Sequence, residues 1–205
     1  VPLDVVERIH AALPDWLKVA VPLGVGVGLR QGEASGLTVD RVDFLRRTLR
    51  VDRQLIDRNV AEPILSPPKT QSSNRTVPLA DFVVEALSAH LAQFPREPGQ
   101  CVLLDPEGLP VASGRFGHQW RQAVKAAGAT GLRYHDLRHT YASTLLSSGV
   151  SVKAVADWLG HASPVVTLTT YAHLMPTDDD VGRAVLEAAF TSSADISRTE
   201  GVASA

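Results

Sequence analysis

The sequence has 205 residues, 44% of them apolar, which is enough to bury the core of one good-sized domain and argues against a chain disordered throughout. Its formal charge of −2 excludes a uniformly basic polyanion binder, yet from Leu174 onward six acids face only Arg183 and Arg198, so the preceding body is modestly positive. The longest apolar run, Val19 to Leu29, is broken by Pro22 and glycines and is too short to span a bilayer, the N-terminus does not read as a signal peptide, and a lone Cys101 excludes an internal disulfide and fits a reducing cytosol.

In chain order, Asp4 followed by Glu7 matches a capping box, and Val5, Ile9, Ala12 and Leu13 carry the helical spacing of a segment that stops near Pro14. A second helix is expected from Asp15 toward Gly24. Gly24, Gly26 and Gly28 then deliver the chain to Arg30; they follow no strand, so they read as turn and packing glycines rather than a nucleotide loop. Gly32 to Leu37 suits a short helical turn. From Val39 to Ile56 the pattern changes to β-type, with Val42, Phe44, Leu49, Val51 and Leu55 among charged residues and a turn at Arg46 and Arg47. Arg75 to Leu79 reads as another strand, and the proline- and serine-rich Leu65 to Asn74 as a loop or hairpin tip. Helices are expected over Asp81 to Phe94, Ser113 to Ala127, His135 to Ser148, Val152 to Leu159, Ser163 to Ala172 and Asp178 to Ala189, with a short strand at Cys101 to Leu104. The expected fold class is therefore α+β, mostly α-helical, with a small antiparallel β-sheet near the N-terminal third. Residues 1–174 are expected to form one domain and 175–205 a C-terminal tail, with a short helix and then a small, polar, disordered end from Thr191.

The residues able to do chemistry lie in four separated places. Gly28-Leu29-Arg30-Gln31-Gly32-Glu33 places an arginine and a carboxylate after a glycine turn, and Pro68-Lys69-Thr70 leads into Arg75-Thr76-Val77-Pro78-Leu79. His135-Asp136-Leu137-Arg138-His139-Thr140 sets two cationic groups three apart on one helix face, and Leu159-Gly160-His161 precedes Tyr171-Ala172-His173. Taken singly, each has an ordinary reading as a solvated charge, a surface pair or a core tyrosine. In this order, from Leu3 to Leu174, they resemble the catalytic domain of the tyrosine recombinases, the phage integrase family.

That resemblance implies a site-specific DNA recombinase, on the pattern of a prophage integrase, that cleaves and rejoins strands through a 3′-phosphotyrosine. Tyr171 would be the nucleophile, Arg30 and Arg138 the phosphate clamp, His135 and His161 further donors with His135 the candidate base, Lys69 the acid that protonates the departing 5′ oxygen, and Glu33 a supporting group that orients the cations. The residue types suit the task. Guanidinium forks stay charged and match phosphate oxygens two at a time, and a phenol of pKa about 10 needs its proton removed or its phenolate stabilised. Bond energy kept in the phosphotyrosine makes ATP unnecessary, no Walker-type loop is present, and the expectation is no cofactor and no metal. The expected partners are double-stranded DNA, a homotetramer on paired sites and accessory DNA-bending or excision factors, at a cytoplasmic location. The tail, through Val181, Val185, Leu186, Ala189 and Phe190, is expected to dock on a neighbour or pack back on its own domain. A chain that starts at Val1 reads as a fragment, and in the family N-terminal domains supply much of the DNA grip.

Three other readings stand beside this one. A type IB topoisomerase shares a closely related nicking and closing site, and a non-catalytic DNA-binding relative would lack one of the reactive groups. A zinc hydrolase would use His135 and His139 with His161, His173 or His118, but Asp136 stands where the zinc pattern has glutamate, and two arginines would place positive charge beside the metal.

Overall fold

Four short helices open the chain: Leu3–Ala12 (α1), Asp15–Lys18 (α2), Ala20–Val27 (α3) and Gln31–Ser35 (α4). The computed structural model describes residues 1–57, 63–68, 70–174, 183 and 186–190. Pro2 occupies the N-cap of α1, so Asp4 already lies inside the first turn; it pairs with Arg8 one turn on, and the expected capping box does not form. Helix α3 is apolar on nearly every side, the composition of a central helix, and Ala20, Val21, Leu23 and Val27 are buried. It continues through Gly24, where the sequence pattern had placed its end. A Cβ at Gly24 would stand 2.8 Å from Leu137, so a bare backbone is what lets this helix approach its neighbour. Gly28, with φ of 69°, ends α3 in the left-handed conformation and turns the chain toward Arg30.

The sheet forms where β-type alternation begins. The strands are Val42–Asp43 (β1), Thr48–Val51 (β2), Gln54–Asp57 (β3), Pro63–Ser66 (β4) and Arg75–Pro78 (β5). One antiparallel sheet has the order β1-β2-β5, and β3 pairs with β4 in a separate antiparallel hairpin. Leu49 on β2 lies opposite Val77 on β5, and both are fully buried. The same period of two buries Arg75 with Val77, a charged residue on the inner face. Part of the segment expected to be loop, Leu65 and Ser66, belongs to β4, and Gln71–Ser73 forms a 3-10 turn. Lys69 lies outside the described residues.

The helices Asp81–Gln93 (α5), Ser113–Ala126 (α6), Tyr134–Ser147 (α7), Val152–Leu159 (α8) and Pro164–Tyr171 (α9) fall within a residue or so of their expected bounds. The expected strand at Cys101 to Leu104 is reduced to isolated bridges, Thr38 with Cys101 and Leu104 with Pro110. Helix α7 packs along α3, and Tyr134 at its start anchors the contact. Its ring meets Phe116 and Trp120 edge-on at 4.9 and 5.4 Å, and its hydroxyl donates to the Ala20 carbonyl at 2.9 Å. The fold is α+β, mostly helical, with a small antiparallel sheet. Among the described residues no helix is long and apolar enough to cross a membrane.

Val1–Leu174 form one compact unit and Met175–Ala205 a second. In the second, residues 186–190 are helical, whereas Val181 and Val185 of the expected apolar stripe, and Thr191 onward, lie outside the described residues.

Gly28 carries both a left-handed φ and a close contact, since a Cβ there would stand 2.7 Å from the Tyr141 ring. Gly28→Ala is expected to lower unfolding free energy by roughly 2–4 kcal/mol in urea titrations at neutral pH. A loss below about 0.5 kcal/mol would show that the turn relaxes freely.

Candidate active site

The site is assembled around one carboxylate. Glu33 lies in the first turn of α4, and its Oε2 accepts from the Arg30 backbone N–H at 2.9 Å, while its Oε1 accepts from Arg30 Nη1 at 2.9 Å. From the opposite side Arg75 on β5 donates Nη1 to Oε1 at 3.0 Å and Nη2 to Oε2 at 2.8 Å, a two-pronged pair. The side chains of Arg75 and Glu33 are 4% and 3% exposed, so this ion pair is cut off from water, whereas Arg30, at 39%, reaches into solvent. Burial alone would raise the Glu33 carboxyl. The hydrogen bonds and charge of Arg75, followed by Arg30, outweigh that and hold it at about 2.

Arg75 also ties the sheet to the C-terminal helices. Its Nε donates to the Trp158 carbonyl at 2.6 Å, and its guanidinium lies against Gly160, where a Cβ would come within 3.1 Å of Nη1. Gly160, with φ of 67°, ends α8 and places His161 at the start of the following turn. Ser163 then caps α9, accepting from Val165 N at 3.2 Å, with Pro164 in the first helical turn. Arg138 on α7 is buried at 3% exposure and braces the same two turns from beneath. Its Nη1 donates to the Gly28 carbonyl at 2.6 Å and its Nη2 to the Leu159 carbonyl. One guanidinium thus fixes the backbone just before Arg30 and just before His161.

A cleft of about 340 Å³ is lined by Arg30, Glu33, Gly160 and His161 together with Pro68 and Thr70. Burial first, then the charges of Arg138, Arg30 and Arg75, push the His161 imidazole down to about 4, and its Nδ1 is shared with the Thr167 hydroxyl at 2.8 Å. His135 stands at the surface, and the partial loss of water around its ring, then the neighbouring His139, Arg138 and Arg30, lower its pKa too. At neutral pH His161 is therefore neutral and can donate one N–H without adding to the positive field. Tyr171, at the end of α9, is 5% exposed, and burial raises its hydroxyl pKa while Arg138 acts in the opposite direction.

Of the groups singled out in the sequence, Arg30, Glu33 and His161 line one cleft, His135 and Arg138 stand on α7, and Tyr171 at the end of α9 lies against His139 of α7. Two others join them. Arg75 stood inside the quoted strand motif without a role; the signal for it was an arginine in phase with Val77 on an inward-facing strand. His139 meets the Tyr171 hydroxyl at 2.5 Å, where His135 had been the expected base. Tyr134 and Tyr141 are buried at 3% and 6% exposure, Tyr141 against Gly28. Among the described residues no group of three His, Cys, Asp or Glu side chains could hold a metal ion.

The sequence profile of the phage integrase family matches residues 1–177. A tyrosine recombinase XerC-like protein of Caldanaerobacter subterraneus subsp. tengcongensis is 31% identical over 192 residues, covering 83% of this chain and 49% of that protein. The transposase of transposon Tn916 from Enterococcus faecalis is 27% identical over 159 residues, covering 71% of this chain and 39% of the relative. This chain therefore spans half or less of the length of these curated relatives. Among solved structures, the Tn1549 transposon integrase in complex with transposon right end DNA superposes with a TM-score of 0.75 at 25% identity, covering 91% of this chain and 64% of that one. The XerA recombinase shares the fold, with a TM-score of 0.66 at 20% identity over 93% of this chain and 64% of the other.

The depressed Glu33 carboxyl has a consequence for acid stability. A group held at about 2 when folded and near 4.5 when unfolded contributes stability that is complete above the unfolded value and is lost as pH falls through the folded one. That contribution is about 3 kcal/mol. Glu33→Gln removes it and leaves Arg75 buried without its counter-charge, at a cost of about 3–5 kcal/mol at neutral pH. Urea titrations of parent and variant from neutral pH down to about pH 2 are expected to converge as acid protonates Glu33. Parallel pH profiles would contradict the assignment.

Proposed function

The chain belongs to the phage integrase family of tyrosine recombinases, and from that premise we propose that it cleaves and rejoins double-stranded DNA through a covalent 3′-phosphotyrosine at Tyr171. The observation that carries the reading is the gathering of Arg30, Arg75, Arg138 and His161 from four parts of the chain around a cleft whose one buried anion is Glu33, with Arg138 close enough to Tyr171 to act on its hydroxyl. Such a field suits a phosphodiester whose non-bridging oxygens gain charge in the pentacoordinate transition state.

Arg30, half in solvent, is the arm of the clamp that reaches the phosphate, and Arg138 supports it from below while contributing charge. His161, neutral with its Nδ1 engaged by Thr167, donates from its other nitrogen, and His135 adds a second donor at the rim. Lys69, by the family pattern, protonates the leaving 5′ oxygen. The phosphotyrosine ester keeps the energy of the broken bond, so rejoining by a 5′ hydroxyl from another strand needs neither metal nor ATP in this scheme. The relatives' names place them in recombination and transposition, and we assign this chain to the integrase branch, acting as a homotetramer on paired sites with its tail docked on a neighbour and accessory DNA-bending factors at hand.

The test uses a pool of nicked suicide duplexes of randomised sequence, in which the short cleaved fragment diffuses away and traps the covalent adduct for a denaturing gel. The parent chain is expected to form a DNA-linked band that Tyr171→Phe abolishes and that Tyr134→Phe and Tyr141→Phe retain. Arg30→Ala is expected to slow its formation by about 100-fold or more with the fold intact. An undiminished adduct from Tyr171→Phe would overturn the mechanism.

A further inference from the structure

The hydroxyl that must attack lies against a histidine that the family pattern does not call upon. Tyr171 Oη stands 2.5 Å from Nδ1 of His139, with the two ring centroids 5.8 Å apart and the planes inclined at 53°. His139 sits one turn beyond His135 on α7, and those two rings meet edge to face at 4.8 Å. The other groups near the cleft are engaged elsewhere or stand apart. His161 shares its Nδ1 with Thr167, Arg138 turns its two Nη groups to the Gly28 and Leu159 carbonyls, and His135 faces solvent.

An acceptor is needed at this place. Even an unperturbed phenol of pKa about 10 is ionised only about once in a thousand molecules at neutral pH, and burial of Tyr171 makes the phenolate scarcer. Removing the proton during attack, by a group already within hydrogen-bond reach, avoids forming the phenolate first. Resting on the recombinase reading above, we propose that His139 is the catalytic base that takes the phenolic proton as Tyr171 attacks the phosphate. The Oη–phosphorus bond forms as the phosphorus–O5′ bond breaks, the Oη proton passes to Nδ1 of His139, and O5′ leaves with a proton from the acid position assigned to Lys69. On rejoining, both transfers reverse and His139 returns its proton to Tyr171, so the cycle is balanced in protons and uses no electrons. The imidazolium formed on the way has the incoming phosphate as its counter-charge in a region otherwise crowded with cations. His135 then keeps only its role as a donor at the rim.

A mere docking contact would satisfy the same geometry, and the choice of substitution separates the two. His139→Asn leaves an amide oxygen near the Nδ1 position that accepts the hydroxyl but cannot take its proton, whereas His139→Ala removes both. Adduct formation on the suicide duplex pool is expected to slow by about 100-fold in both variants. Replacing Tyr171 by a fluorotyrosine with a more acidic phenol is expected to shrink either defect to less than about 10-fold, because less of the barrier then lies in proton removal. Parent-like rates in His139→Asn, or a defect unchanged by the fluorotyrosine, would reduce His139 to a docking contact and overturn the proposal while leaving Tyr171 as nucleophile. Melting curves of each variant check that the fold is retained. Independently of DNA, long-range proton–nitrogen spectra of the parent are expected to show a bare Nδ1 on His139, with the proton on Nε2. A protonated, neutral Nδ1–H tautomer would make His139 the donor to Tyr171 and exclude it as base. Absence of any Tyr171-linked DNA in the parent would instead remove the recombinase reading and the catalytic step with it, while the nitrogen spectrum still shows which group donates.

Discussion

Two guanidinium groups, Arg30 from the same turn and Arg75 from a distant strand, converge on the Glu33 carboxylate, and the buried two-pronged pair with Arg75 is what makes removing that carboxylate from water tolerable. The rest of the site hangs on this convergence. Arg75 brings the β5 strand, the Trp158 carbonyl and the Gly160 turn to one point and, through Glu33, ties them to α4. Arg30 is held at its backbone and at one Nη by the same carboxylate, leaving the rest of its fork for a ligand. A buried ion pair contributes little net stability compared with an apolar substitute, so its value here lies in fixing positions.

The electrostatic outcome follows from that arrangement. Two arginines share the Glu33 carboxylate and a third, Arg138, is buried against backbone carbonyls; burial first, and then this surplus of positive charge, lowers His161 to about 4 and draws down His135. On the proposed function, an entering phosphate would meet fixed guanidinium charge together with a neutral His161 that can donate an N–H. Donors held in place in this way need not rearrange as charge develops in a transition state.

The helices from α5 to α9 were legible in the sequence because long periodic segments with clear breakers leave little choice, whereas Arg30, His135, Arg138, His161 and Tyr171 were singled out through the resemblance to the tyrosine recombinases. What escaped depended on contacts made across the fold. The Asp4 box failed because Pro2 started the helix earlier than the spacing implied, and Arg8 offered Asp4 a different partner. The α3 helix outran its glycines because Leu137 packs where a side chain would otherwise be. Arg75 and His139 were within quoted motifs, yet nothing local says that a strand arginine will meet Glu33 or that one histidine of α7, rather than the other a turn away, will face Tyr171. Burial of Arg138 was equally hidden, since its partners are carbonyls of Gly28 and Leu159, which no side-chain pattern reveals.

The most direct test of this account is a double-mutant cycle on the carboxylate and its strand partner. Glu33→Gln, Arg75→Gln and the double variant would be compared with the parent by urea unfolding at neutral pH. If the pair is the joint that holds the site together, each single change costs several kcal/mol, the double costs little more than either, and the coupling is about 2 kcal/mol or greater. Additive losses, with a coupling near zero, would mean that Arg75 and Glu33 are held in place by their own segments and that the convergence on Glu33 organises nothing.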